Sequence, residues 1–150
     1  MKKRIFILLI CVMCLALPAA AQKGLSGSWT WTSRMDKNKM QTYFSIDIKP
    51  KGKTVSGTLF FNELENGDTQ SDGAVTPFAG TINGETLLIE FDPKALDPGY
   101  TENLRYKKPK GKLPAATATL KLKNGKLEWT QTKGSLGEGM PKTFVLSRSK

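Results

Sequence analysis

The run Gly27-Ser28-Trp29-Thr30-Trp31-Thr32 alternates strictly: Gly27, Trp29 and Trp31 fall on one face of an extended chain, Ser28, Thr30 and Thr32 on the other. Period two is the signature of a strand that buries one side. The same rhythm recurs down the chain. Thr42, Phe44, Ile46 and Ile48 oppose Gln41, Tyr43, Ser45 and Asp47, and Val55, Gly57, Leu59 and Phe61 share the next face. Ala74 to Ile82 alternates with Phe78 and Ile82 on one side, and Leu87, Ile89 and Phe91 follow. Ala116, Ala118, Leu120 and Leu122 point one way, then Leu127 with Trp129, then Phe144, Leu146 and Arg148. No sustained helical spacing interrupts them.

The breaks between runs carry turn chemistry. Pro50-Lys51-Gly52-Lys53 reads as a turn, and Asn83-Gly84 and Asn124-Gly125 read as two-residue hairpins of type I′, which need positive φ at both central positions. Asn62 to Gly73 is polar and reads as a loop. Asp92 to Lys112, with Pro93, Pro98, Pro109 and a basic cluster from Arg105 to Lys112, reads as a long connection.

Eight short strands with one greasy and one Thr-rich face cannot rest as a flat sheet, because the apolar face and two edges would stay bare. The expected fold is therefore all-β: an eight-stranded antiparallel up-and-down barrel, with a two-sheet β-sandwich as the alternative.

Residues 1–21 read as a cleavable signal peptide. Lys2, Lys3 and Arg4 precede an apolar run from Ile5 to Leu17, and Ala19-Ala20-Ala21 suits cleavage before Gln22. The run is shorter than the ~20 residues a spanning helix needs. Both cysteines, Cys11 and Cys14, lie in this leader, so the expected mature chain, 22–150, is a single exported domain without a disulfide, periplasmic or secreted. Three of the 23 basic residues and none of the 13 acidic ones fall in the leader, leaving a formal charge of +7 (20 against 13). Without aromatic-basic alternation, that charge reads as solubility and not as a nucleic-acid surface.

Two short motifs bracket the domain. Leu25-Ser26-Gly27-Ser28-Trp29 resembles the Gly-x-Trp first strand of the calycin barrels, the group of lipocalins, fatty-acid-binding proteins and avidins. Val145-Leu146-Ser147-Arg148 resembles their last strand, in which a basic residue packs over that Trp. The resemblance implies a lipocalin-like barrel, of an exported bacterial type, plugged at one end by Trp29 with Arg148 across it. By alternation Arg148 falls on the inward face, where stacking on Trp29 would be worth about 1–2 kcal/mol if desolvated; the competing reading is a solvated tail. The chain departs from the group in lacking a cysteine after the leader and any recognisable Arg and Tyr grip for a carboxylate, and its inward positions are too aliphatic to predict biotin.

Catalysis has little to stand on. The chain contains no histidine, which removes Ser-His-Asp and Cys-His arrangements and His-ligated zinc. The loop Asn66–Gly73 lacks the bidentate Glu that closes a calcium loop, and paired carboxylates remain open, Glu63 with Glu65 for example. No cofactor or metal is expected. The expected function is non-catalytic binding of a small hydrophobic or amphipathic molecule in a barrel cavity, with Trp31, Phe44, Phe78 and Trp129 as walls and Tyr106, with Tyr100, as a lid. Gly57, Gly80, Ala116 and Ala118 would leave volume among them; a hollow and a packed interior are both open. The alternative is a solid protein-interaction module, such as an inhibitor of an envelope or host enzyme, meeting its partner through the 92–112 connection and the glycines at 134–139.

Overall fold

The computed structural model describes residues 24–69, 73–92, 115–134, 136 and 140–149. Among these residues nine antiparallel strands follow one another: β1 (Gly27–Thr32), β2 (Met40–Lys51), β3 (Thr54–Glu65), β4 (Asp68–Thr69), β5 (Ala74–Asn83), β6 (Thr86–Phe91), β7 (Ala116–Lys123), β8 (Lys126–Lys133) and β9 (Thr143–Arg148). Each pairs with its neighbour in sequence, apart from the two-residue β4, which lies beside the end of β3 while β3 passes on to β5. β1 pairs with both β2 and β9, and β2 with β3, so eight strands close into a ring. The barrel leaves no free edge along those eight strands, which is the physical advantage of closure over a sandwich.

The ring is not uniform. Between β2 and β3 the register runs unbroken from Met40↔Glu65 to Lys51↔Thr54. The closing seam between β1 and β9 holds only Trp29↔Arg148 and Thr30↔Ser147, extended by Ser149 N donating to the Ser28 carbonyl at 2.9 Å. A bulge on β8 sets Lys133 and Gln131 against the adjacent Thr117 and Ala118 of β7. The hydroxyls of Thr117 and Thr132 meet across it at 2.7 Å.

Two of the turns differ from what the dipeptides promise. Asn124 and Gly125 both have positive φ (52° and 73°), as a type I′ hairpin requires. At the β5–β6 turn, however, Asn83 still belongs to the strand and pairs with Thr86. The central residues are Gly84 and Glu85, and only Gly84 has positive φ (60°), the pattern of type II′. The polar tract at 62–73 is not simply a loop either. β3 runs on to Glu65, and Asn66-Gly67, at φ 55° and 87°, makes a further I′ hairpin into β4.

The connections divide the barrel into two ends. At the turn end lie the two-residue links Gly52-Lys53, Gly84-Glu85 and Asn124-Gly125. At the other end, the loop end, β1 stops and β2 begins, β3 stops and β5 begins, β6 stops and β7 begins, and β8 stops and β9 begins. The interior divides in the same sense. Toward the turn end it is aliphatic, with Ile48, Val55, Leu87, Leu120, Leu127 and Leu146 buried around Trp29. Toward the loop end it is aromatic, with Phe44, Phe61, Phe91, Trp129 and Phe144 buried and Trp31 packed against them.

Candidate functional site

The turn end is sealed by a single local arrangement. Before β1 the chain makes a short helical turn at Gly24-Leu25, and Leu25 is fully buried in the core. Three successive carbonyls of this segment then accept side-chain donors. Gly24 O takes Arg148 Nη2 at 2.6 Å, Leu25 O takes Trp29 Nε1 at 3.1 Å, and Ser26 O takes Arg148 Nη1 at 2.8 Å. The guanidinium carbon of Arg148 lies 4.5 Å from the centroid of the Trp29 ring. Gly27 makes room for this: its φ is 106°, and a Cβ there would sit 3.0 Å from Arg148 Nη1. Arg148 differs from the inward, buried placement its alternation predicts. It is exposed, lying over the barrel end with its fork turned onto backbone oxygens. Water therefore shares its charge, and the stacking is worth about 0.5–1 kcal/mol, not the desolvated figure.

The loop end holds a connected set of rings. Trp129 stacks on Phe144 at 5.6 Å and 15° and meets Phe44 edge-on at 5.3 Å; Phe91 lies 6.0 Å from it. Phe144 also touches Phe44 at 5.4 Å and the half-buried Trp31 at 4.7 Å. Leu136, buried, and Met140, half-buried, pack onto the core from the β8–β9 connection. In the same connection a Cβ on Gly134 would come within 2.8 Å of the Ala116 Cβ, so this segment lies close over the start of β7.

Of the four expected walls, Trp31, Phe44 and Trp129 join one network, with Phe144 as the link. Phe78 does not: among the described residues it makes no ring contact with them. Its side chain occupies the space over Gly57, where a Cβ would lie 2.7 Å from the ring and against the Asp47 carbonyl. The volume expected at Gly57 is thus filled by Phe78. At Gly80 a Cβ would run into the backbone of Leu88 and Ile89, so this glycine permits a close approach of β6. Tyr100, Tyr106 and most of the 92–112 connection lie outside the described residues, as do 137–139.

Among the described residues, polar atoms inside the apolar barrel are few, and two are unmatched. Trp129 is 1 % exposed and its Nε1 has no acceptor; Gln131, two residues on along β8, has a buried Oε1 with no donor. Thr76, also buried, has one long contact at 3.4 Å to the Pro77 carbonyl. An unmet buried donor or acceptor costs about 1–3 kcal/mol, so native proteins seldom keep one without a reason. Phe91, Phe144, Gln131 and Leu136 are the site residues that reading the sequence passes over, although alternation from Trp129 does place Gln131 inward. Glu63 and Glu65 are both exposed and form no buried acid pair. Among the described residues no group of three or more His, Cys, Asp or Glu side chains is placed to hold a metal ion. No described helix is long and apolar enough to cross a membrane. Comparison with protein-family models, curated proteins and solved structures returns no match.

Proposed function

We propose that this protein is a non-catalytic, calycin-like binding barrel that takes a small hydrophobic or amphipathic molecule in the loop-end half of its interior. The observation that carries this reading is the division of the core. The turn end is stopped by Leu25, Trp29 and Arg148 and filled with aliphatic side chains, while the loop end collects five touching rings. Rigid aromatic walls with a few polar atoms among them are what small-molecule sites are made of. The leader at 1–21 supports export, to the periplasm or beyond, as the place of action. The test is native mass spectrometry of the purified protein together with a thermal-shift screen of apolar compounds. A co-purifying lipophile or a shift that grows with dose supports the reading; neither, across the screen, refutes it.

A second reading, a protein-interaction module, has one observation in its favour. On the outer surface Tyr43 and Phe60 meet edge-on at 6.0 Å, and Val75, directly across from Phe60, is 57 % exposed. Neighbouring exposed apolar side chains mark contact surfaces. Inhibition of an envelope or host hydrolase that Val75→Asp abolishes, with no response to apolar compounds, would favour this reading.

A further inference from the structure

Trp29 and Trp129 are equally buried, yet only one of them satisfies its indole N–H. Trp29 donates to the Leu25 carbonyl, whereas Trp129 Nε1 meets no acceptor. The Gln131 oxygen is left over in the complementary sense. Gln131 Nε2 donates to the Lys133 carbonyl at 2.7 Å, and this bond fixes which end of the amide is committed, so the unmatched atom is the acceptor Oε1. The flanking strands offer neither atom a partner: Ala118 stands opposite Gln131, while Leu120 and Phe144 stand opposite Trp129. One inward face of β8 therefore presents a free donor and a free acceptor one pleat repeat apart, roughly 7 Å along the strand.

We propose that this face is the polar subsite of the barrel, and that the group it takes is a neutral amide attached to an apolar, ring-sized body. The amide oxygen accepts from Trp129 Nε1 and the amide N–H donates to Gln131 Oε1, with the apolar body against the rings of Phe144, Phe44 and Phe91. This rests on the reading of the barrel as a small-molecule binder and adds the chemistry of the ligand. A carboxylate fits worse. It has no donor for Gln131 Oε1, it would set negative charge beside that oxygen, and among the described residues no Lys or Arg is buried to compensate it. An ester can satisfy Trp129 but leaves Gln131 unmatched.

Calorimetric titration of the unaltered protein with naphthalene-2-carboxamide, methyl naphthalene-2-carboxylate and naphthalene-2-carboxylate tests the proposal. The amide is expected to bind about ten-fold more tightly than the ester, the effect of one additional buried hydrogen bond, and the carboxylate most weakly. Trp129→Phe keeps a ring and removes the N–H. It is expected to weaken the amide and the ester alike by about ten-fold, since both carbonyls accept from that N–H, and to leave the amide's preference over the ester in place. Equal affinity for amide and ester overturns the subsite and leaves the binding barrel standing. No heat and no thermal shift with any of the three up to roughly 1 mM overturns both. The amide–ester comparison uses no variant, so it decides even where Trp129→Phe fails to fold.

Discussion

Arg148 and Trp29 are cross-strand partners in the seam that closes the barrel, and the guanidinium of one lies 4.5 Å over the ring of the other. The pair joins three things at one point: the first strand, the last strand, and the segment before β1 whose carbonyls accept from both side chains. Arg148→Ala is expected to lower stability by about 1–2 kcal/mol, combining an exposed cation–π contact with two charge-assisted hydrogen bonds. Arg148→Lys should recover only part of this, because an ammonium lacks the planar fork that reaches two carbonyls while stacking. Trp29→Ala should cost about 3–5 kcal/mol, as for any large buried ring. Urea denaturation of the three variants checks the order; equal midpoints for all three and the parent would remove the plug.

The segment before β1 belongs to the barrel although it pairs with no strand. A chain beginning at Gly27 lacks the carbonyls of Gly24, Leu25 and Ser26 and the buried Leu25 side chain. Its stability is expected to fall by at least the about 2–5 kcal/mol typical of losing one buried Leu. The same loss from Leu25→Ala alone would show that the side chain matters more than the carbonyls. Thermal melts of both forms separate the two contributions.

Gly57 is closed in by Phe78 and by the Asp47 carbonyl. Gly57→Ala is expected to destabilise by about 1–3 kcal/mol through overpacking. Adding Phe78→Leu should relieve only part of the penalty, since the contact with the backbone oxygen remains. Full rescue in the double variant would show that the ring alone closes the space.

The unequal seams predict unequal protection. The β1–β9 seam holds two register pairs, while β2–β3 runs the length of both strands. The amides of Thr30 and Ser149 are expected to exchange with deuterium faster than those at the centre of β2 and β3, because local opening follows the weakest ladder. Uniform protection around the ring would mean that the plug carries the seam.

Much of this architecture is legible in period two alone. The barrel strands bury apolar side chains at alternate positions, as Phe44, Ile46 and Ile48 of β2 and Leu87, Ile89 and Phe91 of β6 do, so their alternation is strong, and Asn124-Gly125 marks its hairpin by residue type. β4 is illegible because the end of β3 projects past the core: Glu63 and Glu65 are exposed there, no apolar pattern persists, and Asn66-Gly67 hides in a polar tract. Alternation also tells inward from outward but not height along the barrel axis, which depends on strand stagger. That is why alternation sets Phe78 beside Trp129, while its side chain lies over Gly57 and its register partner Phe91 is the ring that meets Trp129. Arg148 escapes its alternation because the strand ends there and its long side chain bends over the rim. Gln131 was on the legible face, but a polar residue near a strand terminus reads as the start of solvent.

The central claim is that the interior is stoppered at Trp29 and receptive at Trp129, and the three tryptophans report on it directly. Their indole N–H resonances, followed by nuclear magnetic resonance during titration with naphthalene, should separate. Those of Trp31 and Trp129 are expected to move together and saturate, while that of Trp29, held on the Leu25 carbonyl, stays in place. If Trp29 moves with them, or if none of the three moves up to the solubility limit of the compound, the account is contradicted.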